Sequence, residues 1–444
     1  MRISSSGMLF DTLREHHLLA ADRIEQLQKL VPGRCGDARQ LAKTMIQQGW
    51  LSVYQVNQLL AGHGRELLIG PYHVVDKLGQ GGLSSVFKAR HTEYKNIVAI
   101  KMIKPEVFAS EEGRQQFLQE VEAMARLDHA NIVQFCDADQ FKDTFYFAME
   151  YVEGTDLGKV VRLSGALPVR EACDYIRQTA LGLQHAFERN LIHRDIKPVN
   201  LFLTHVSIER PNSADVFATR KDPELRASSA TMLMKPLIKI LDWGLASLRA
   251  PQGLTSETLL ENITRSIVGT ADYLSPEQAR NANAVDIRGD IYSLGCSLYY
   301  LLTGQPPFPD GSLMQKILQH QQAEPKPIDS FRGDVPTAVT AIVKRMMAKH
   351  PDDRFQTPAS AALALLPFTR SAVGMSAAVC SLPAHKGAAP SGHRDDTPLP
   401  TALATKADGG FQRLPKAGVA RNADLADDTA TPSVAMVKDA SKKR

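Results

Sequence analysis

The stretch Leu191-Ile192-His193-Arg194-Asp195-Ile196-Lys197-Pro198-Val199-Asn200-Leu201-Phe202-Leu203 decides how the rest of the chain is understood. It places a proton acceptor (Asp195), a cation (Lys197) and an amide suited to a metal (Asn200) within one short loop. Transfer of a phosphoryl group from ATP to a hydroxyl needs those three kinds of group together. A His-Arg-Asp tripeptide also arises by chance, so its weight rests on what precedes and follows it.

Upstream, Gly79-Gln80-Gly81-Gly82 lies between two strand-like runs, His73 to Leu78 and Ser85 to Arg90. Glycines there let backbone N–H groups approach phosphates without a Cβ in the way; an ordinary hairpin turn has the same composition. A dinucleotide fingerprint or a Walker loop passes from strand into helix, whereas this loop passes from strand into strand. Next, Asn96 to Ile103 forms a third strand-like run containing Val98-Ala99-Ile100-Lys101. A lysine there usually reaches solvent; one that faces phosphates needs an anion to hold it. Glu120 is the candidate, beside the apolar face Val121, Met124 and Leu127 of a helix expected over Phe117 to Leu127. A solvated helix face is the plainer alternative. Two more strands are expected at Ile132 to Cys136 and Phe145 to Met149, and helices dominate after Leu167-Pro168. Downstream, Asp242 ends the apolar run Ile238-Lys239-Ile240-Leu241. Such a carboxylate suits Mg²⁺ among phosphates, or else opens a simple turn.

Taken in order, GQGG, VAIK, Glu120, HRDIKPVN, DWG, GTADYLSPE and DIYSLG resemble a protein kinase. More narrowly, the set is similar to the eukaryotic-like Ser/Thr protein kinases of bacteria. The resemblance covers residues 72–368 and implies an α+β, two-lobed fold, with a small β-rich N-lobe and a larger helical C-lobe. It implies ATP as the phosphoryl donor with Mg²⁺ (Mn²⁺ as an alternative) and Ser or Thr hydroxyls of proteins as acceptors. Self-association for autophosphorylation in trans fits the same pattern; nucleic acid and membranes are not expected partners.

Residue by residue, the resemblance implies that Lys101 contacts the α- and β-phosphates and pairs with Glu120. Asp195 is then the catalytic base, Lys197 neutralises the γ-phosphoryl, and Asn200 and Asp242 hold Mg²⁺. The segment Leu78, Gly79, Gln80, Gly81 and Gly82 covers the nucleotide. Val86, Ala99 and Phe202 sandwich the adenine, the backbone of Glu150 and Val152 faces its polar edge, Met149 is the back wall, and Asp156 reaches the ribose. Glu277 pairs with Arg354, and Asp290 braces the catalytic loop. Lys197 with Thr270 follows the Ser/Thr-specific pattern. Arg194 resembles the arginine of kinases switched on by loop phosphorylation, with Thr264 and Ser266 as candidate phosphosites or simply polar loop residues.

Three departures from the family pattern stand out. Ser84 replaces the third glycine of the loop, and weaker ATP binding is expected. Trp243 replaces the usual phenylalanine, keeping an apolar spine with His193 and Met124 while its bulk favours an inactive flip. Asn200 and Asp242 lie 42 positions apart, so a polar insertion, read as a mobile loop, is expected at 204–236. These departures motivate a rival of another class, a pseudokinase that binds ATP and acts as a scaffold. Against it, Lys101, Glu120, Asp195, Asn200 and Asp242 are all present.

The rest of the chain sets bounds. Lys and Arg (52) nearly balance Asp and Glu (48), for a net charge of +4, which gives no argument for a nucleic-acid binder. Five scattered cysteines without a CxxC argue against a zinc site and fit reduced thiols in a cytosol. No signal peptide or 18-residue apolar run is present, so a cytoplasmic location is expected. Residues 1–66 read as short helices, with capping boxes at Asp37/Gln40 and Ser52/Gln55 and stops at Gly49 and Gly62. They resemble the leader domains of kinases from planctomycete-like bacteria and serve either as a tether or as a regulatory module. Residues 369–444, rich in Ala, Pro and charge, read as a disordered tail.

Overall fold

The structure is a computed structural model that describes residues 3, 5–30, 38–81, 84–104, 111–142, 144–210, 231–243, 271–280 and 285–369. Asp37, Gly82, Thr264, Ser266, Thr270, the centre of the expected insertion (211–230) and the expected tail beyond 369 lie outside them.

Strand alternation builds the first lobe. Six antiparallel strands are β1 (Leu68–Ile69), β2 (Tyr72–Gln80), β3 (Ser84–His91), β4 (Ile97–Ile103), β5 (Phe135–Phe141) and β6 (Thr144–Glu150). Their order is β1-β2-β3-β4-β6-β5. Along β4, Ala99 and Ile103 join one buried core, while Val98 and Ile100 join another. Along β6, Phe147 and Met149 go with the first core, and Tyr146 and Ala148 with the second. The two-residue period puts Lys101 on the face of Ala99 and Ile103. Strands apolar on both faces must be covered on both.

The second face is covered by the N-terminal helices α1 (Ser6–Glu15), α2 (Ala21–Leu30), α3 (Ala38–Gln47) and α4 (Val53–Ala61). Leu9, Leu13, Leu27, Leu41, Met45 and Leu59 are wholly buried in one cluster with Val74, Ala89, Val98 and Ile100. The expected capping box at Ser52 and Gln55 is formed, and Gly62 ends α4 in the left-handed conformation at φ 85°. The first face packs on Val121 and Met124 of α5 (Glu111–Met124) and on the helical lobe.

The helical lobe contains α6 (Leu157–Ser164), α7 (Val169–Phe187), α8 (Pro276–Arg280), α9 (Ile287–Thr303), α10 (Leu313–Gln322), α11 (Thr337–Met346) and α12 (Pro358–Leu365). Pro168 is the N-cap of α7. Every residue of α9 from Gly289 to Leu302 is buried, so α9 is the axis of this lobe. Ahead of α8, a second sheet of three strands, β7 (Thr155–Asp156), β8 (Leu201–Arg210) and β9 (Thr231–Ile240), carries the loops of interest.

Two expectations need correction. The strand expected at Ile132 to Cys136 begins three residues later, and Ile132 makes only an isolated parallel bridge to Ile240. The acidic residues Asp137 and Asp139 masked this edge strand. The expected polar insertion at 204–236 is not a loop at its ends. Thr204 to Arg210 and Thr231 to Pro236 continue the ladder in register, from Thr204↔Leu237 to Arg210↔Thr231. Alternation of Thr204, Val206 and Ile208 with polar residues is the strand signal that composition hid.

The pair expected between Glu277 and Arg354 is present. Arg354, 1% exposed, donates from Nη1 to Glu277 Oε1 at 2.6 Å and from Nη2 to Oε2 at 2.9 Å. Its remaining hydrogens go to the carbonyls of Ala348, Arg288 and Lys349. Removing one side of such a pair leaves the other charge stranded. Glu277→Gln is therefore expected to lower unfolding stability by about 3–5 kcal/mol, read from urea unfolding. A loss below about 1 kcal/mol would mean that the pair behaves as an exposed one.

Candidate active site

The β8–β9 ladder does the assembling. Leu201 pairs with Ile240, and the N–H of Leu241 donates to the carbonyl of Asn200 at 2.9 Å. The end of the His-Arg-Asp loop and Asp242 thus become neighbours despite their distance in sequence. On the other edge, Asp156 of β7 pairs with Phe202 of β8. The chain reaches β7 through Gly154, at φ 159°, where a Cβ would lie 2.1 Å from the carbonyl oxygen of Leu203. Only glycine fits that approach.

The loop itself hangs on Asp290 of α9. That carboxylate, 1% exposed, accepts from the backbone N–H of His193 and of Arg194, each at 2.7 Å. Burial pushes the Asp290 carboxyl upward, and the fields and hydrogen bonds of His193 and Arg194 oppose that shift. Arg194 takes φ 63°, a left-handed turn that the two hydrogen bonds hold. Gln278 donates to the Arg194 carbonyl at 2.8 Å. The His193 ring bonds the carbonyl of Leu241 through Nε2 at 2.8 Å and meets Trp243 edge-on at 4.8 Å. Trp243 is 5% exposed and shares the core of His193's neighbours with Met124. The large apolar side chain expected at this position is therefore seated. Its Nε1 finds no acceptor among the described residues.

The charged side chains converge. Lys197 Nζ lies 2.9 Å from both carboxylate oxygens of Asp195. Asn200 donates through Nδ2 to the Asp195 carbonyl at 2.8 Å, which leaves its Oδ1 for a cation. Lys101, 3% exposed, reaches Asp242 Oδ1 at 2.8 Å. The sequence reading missed this contact, because it paired Lys101 with Glu120 alone. Glu120 sits half-buried on α5. The contact joins two different sheets, so no local pattern in the sequence signals it.

Asp242 stands at φ 61°. Desolvation by its neighbours would raise its carboxyl. The charge and hydrogen bond of Lys101, with the fields of His193 and Lys197, outweigh that, and the pKa is lowered. The group is thus an anion at neutral pH, and 41% of its side chain remains exposed. A carboxylate and an amide oxygen form an all-oxygen donor set, which fits Mg²⁺ or Mn²⁺.

The nucleotide-side residues are placed as follows. Leu78 is 46% exposed on β2, and nothing lies within 4 Å of a Cβ built on Gly79. Gln80 Oε1 accepts from Lys77 Nζ at 2.6 Å. The N–H of Gly81 donates to the Ser84 carbonyl at 2.8 Å, so Ser84 closes the hairpin by its backbone. Val86 pairs with Lys101, and Ala99 pairs with Met149. Val152 is half-buried against the main core. The Glu150 carboxylate takes Lys239 Nζ at 2.8 Å and the Gln134 N–H at 3.1 Å, a further pair that the sequence reading missed. Asp156 caps α6 by accepting from the Lys159 N–H at 2.7 Å, so one of its oxygens is already engaged.

Comparison with known proteins bears on the family. Residues 72–364 match the family described as protein kinase domain. The chain is 33% identical over 314 residues to the probable serine/threonine-protein kinase PknB of Corynebacterium glutamicum, covering 69% of this chain and 43% of that protein. It is 32% identical over 288 residues to the serine/threonine-protein kinase PrkC of Bacillus subtilis, covering 65% of this chain and 39% of that protein. The chain therefore spans less than half the length of these curated relatives. The solved kinase domain of Mycobacterium tuberculosis PknI aligns at 26% identity and TM-score 0.48, over 68% of this chain and 97% of that one.

The lowered Asp242 pKa has a measurable consequence. A depressed carboxylate contributes stability above its unfolded value of about 3.9, and loses it as pH falls through the folded value. The stability gap between wild type and Asp242→Asn, followed by urea unfolding, should be full at neutral pH and shrink in acid. A gap that stays constant down to strongly acidic pH would contradict the Lys101–Asp242 pairing.

Proposed function

The chain belongs to the protein kinase family, and from that premise we propose that it is a serine/threonine protein kinase acting on protein hydroxyls, itself included. The observation that carries the proposal is the convergence of Lys101, Asp195, Lys197, Asn200 and Asp242, with their ion pairs at 2.8 and 2.9 Å. A scaffold without catalysis has no need of all five.

In the proposed reaction, the substrate hydroxyl lies against Asp195, whose carboxylate orients it and accepts its proton. Lys197, already on Asp195, stands where it can also meet the transferring phosphoryl oxygens. Lys101 holds the α- and β-phosphates, and Glu120 steadies Lys101 when nucleotide draws it from Asp242. Gly79, Gln80, Gly81 and Gly82 cover the triphosphate with backbone N–H groups. Val86, Ala99, Met149 and Phe202 enclose the adenine, the backbone of Glu150 and Val152 reads its edge, and Asp156 offers its free oxygen to the ribose. Asn200 and Asp242 are the residues that would hold Mg²⁺, which when bound neutralises charge on the phosphates. Little covalent work is left to the protein, so positioning and electrostatics supply most of the rate.

Regulation by phosphorylation belongs to the same proposal. Arg194 Nε is a buried donor with no acceptor among the described residues. A phosphate on Thr264 or Ser266 would bring three acceptor oxygens and about −1.5 to −2 of charge to it. No helix among the described residues is long and apolar enough to cross a membrane.

Incubation with labelled ATP and Mg²⁺, beside Asp195→Asn, tests the activity. Loss of the base should slow labelling by about 10²–10⁴, and the label should sit on Ser and Thr, with Thr264 or Ser266 among the modified positions. Equal labelling of both proteins, or none in either, would refute the proposal.

A further inference from the structure

The N-terminus of α4 meets the glycine-rich hairpin through a joint in which each polar side-chain group has a partner. Ser52 Oγ accepts from the Gln55 N–H at 3.0 Å and donates to the Val75 carbonyl. Gln55 Oε1 accepts from the Ser52 N–H at 2.9 Å, and its Nε2 donates to the Val74 carbonyl at 2.8 Å. The two side chains that cap the helix therefore also hold β2. Gln55 is buried, at 7% exposure, so its bond to Val74 is shielded from water.

The place held is not an ordinary point of the strand. Val74 pairs with Ala89 and Asp76 with Lys88, so Val75 has no partner on β3 and marks a bulge. A second irregularity follows between Lys77 and Gly79, where Leu78 is skipped. A bulge bends its strand and raises its local twist. Two bulges in succession make the hairpin's course depend on whatever fixes the first. Here the fixing groups are Ser52 and Gln55, which hold β2 at Val75 and Val74, a few residues before Gly79. Tyr54 of α4, between the two capping residues, lies with its ring 6.5 Å from Phe87 of β3, which is the partner of Lys77. One helical turn thus touches both strands of the hairpin.

We propose that the Ser52–Gln55 capping box is a positioning device for the glycine-rich loop, setting its reach over the nucleotide's phosphates. The residues act through β2 and touch no substrate. The nucleotide part of this inference rests on the proposed kinase function; the control of β2 does not.

The protein supplies its own control. Ser312 and Gln315 form the same capping box at the start of α10, in the helical lobe. Ser312→Ala removes an equivalent helix cap without touching the hairpin. In the full-length chain, Ser52→Ala and Gln55→Ala should raise KM for ATP about three- to tenfold, with kcat at saturating ATP little changed. Ser52→Thr, which keeps the hydroxyl, should restore the wild-type KM, and Ser312→Ala should leave it unchanged. Independently of any activity, hydrogen exchange without nucleotide should quicken at the amides of Val75 to Gly81 in Ser52→Ala but not in Ser312→Ala. Unchanged exchange there, or a KM that moves equally in Ser52→Ala and Ser312→Ala, would overturn the proposal. Faster exchange in a protein that transfers no phosphate would uphold the joint's grip on β2 and refute the kinase function instead.

Discussion

A buried lysine at the end of an apolar strand needs an anion, and the rest of the site is arranged around that need. Lys101 is fixed in β4 by strand alternation and by packing on both sheet faces. Its carboxylate partner, Asp242, comes from the other lobe, at the end of β9. A charge buried without such a partner would cost several kcal/mol. The pair therefore ties the sheet lobe to the helical lobe at the point where phosphates are proposed to bind. In the proposed reaction a triphosphate would replace one anion by another and leave the carboxylate to a cation. The pair is thus a placeholder as well as a strut.

The second constraint is the carboxylate of Asp290. It sits in the first turn of the lobe's central helix and is satisfied by two consecutive backbone N–H groups. That geometry forces the turn at Arg194 and presents Asp195 and Lys197 on one side of the loop. The β8–β9 ladder then sets Asn200 beside Leu241. Two secondary-structure elements, α9 and the ladder, thus position Asp195, Lys197, Asn200 and Asp242, while β4 supplies Lys101. The loop needs no strain beyond the positive φ at Arg194 and Asp242.

Much of this was legible in the sequence, for physical reasons. The Glu277–Arg354 and Asp290 contacts were implied by the family resemblance of the motifs that carry them, and both are formed. The capping box at Ser52 and Gln55 is local, so its spacing alone predicts it. What escaped was tertiary or hidden by composition. The contact of Lys101 with Asp242 could not be assigned alongside the expected Glu120, because the near carboxylates are not known until the lobes are placed. The pair between Lys239 and Glu150 joins residues 89 positions apart. The ends of the insertion were read as loop from their polarity, yet their alternation was that of strands. The union of α1–α4 with the sheet's second face was foreshadowed only by Val98-Ala99-Ile100, apolar on both sides.

The central claim is that Asn200 and Asp242, with Lys101 beside them, form one cation and phosphate site. Direct titration of Mn²⁺ by electron paramagnetic resonance, with a non-hydrolysable ATP analogue present, tests it. Wild type should bind Mn²⁺ more tightly than the free analogue does, and Asp242→Asn should lose that added affinity. Equal Mn²⁺ binding by the two proteins would contradict the account.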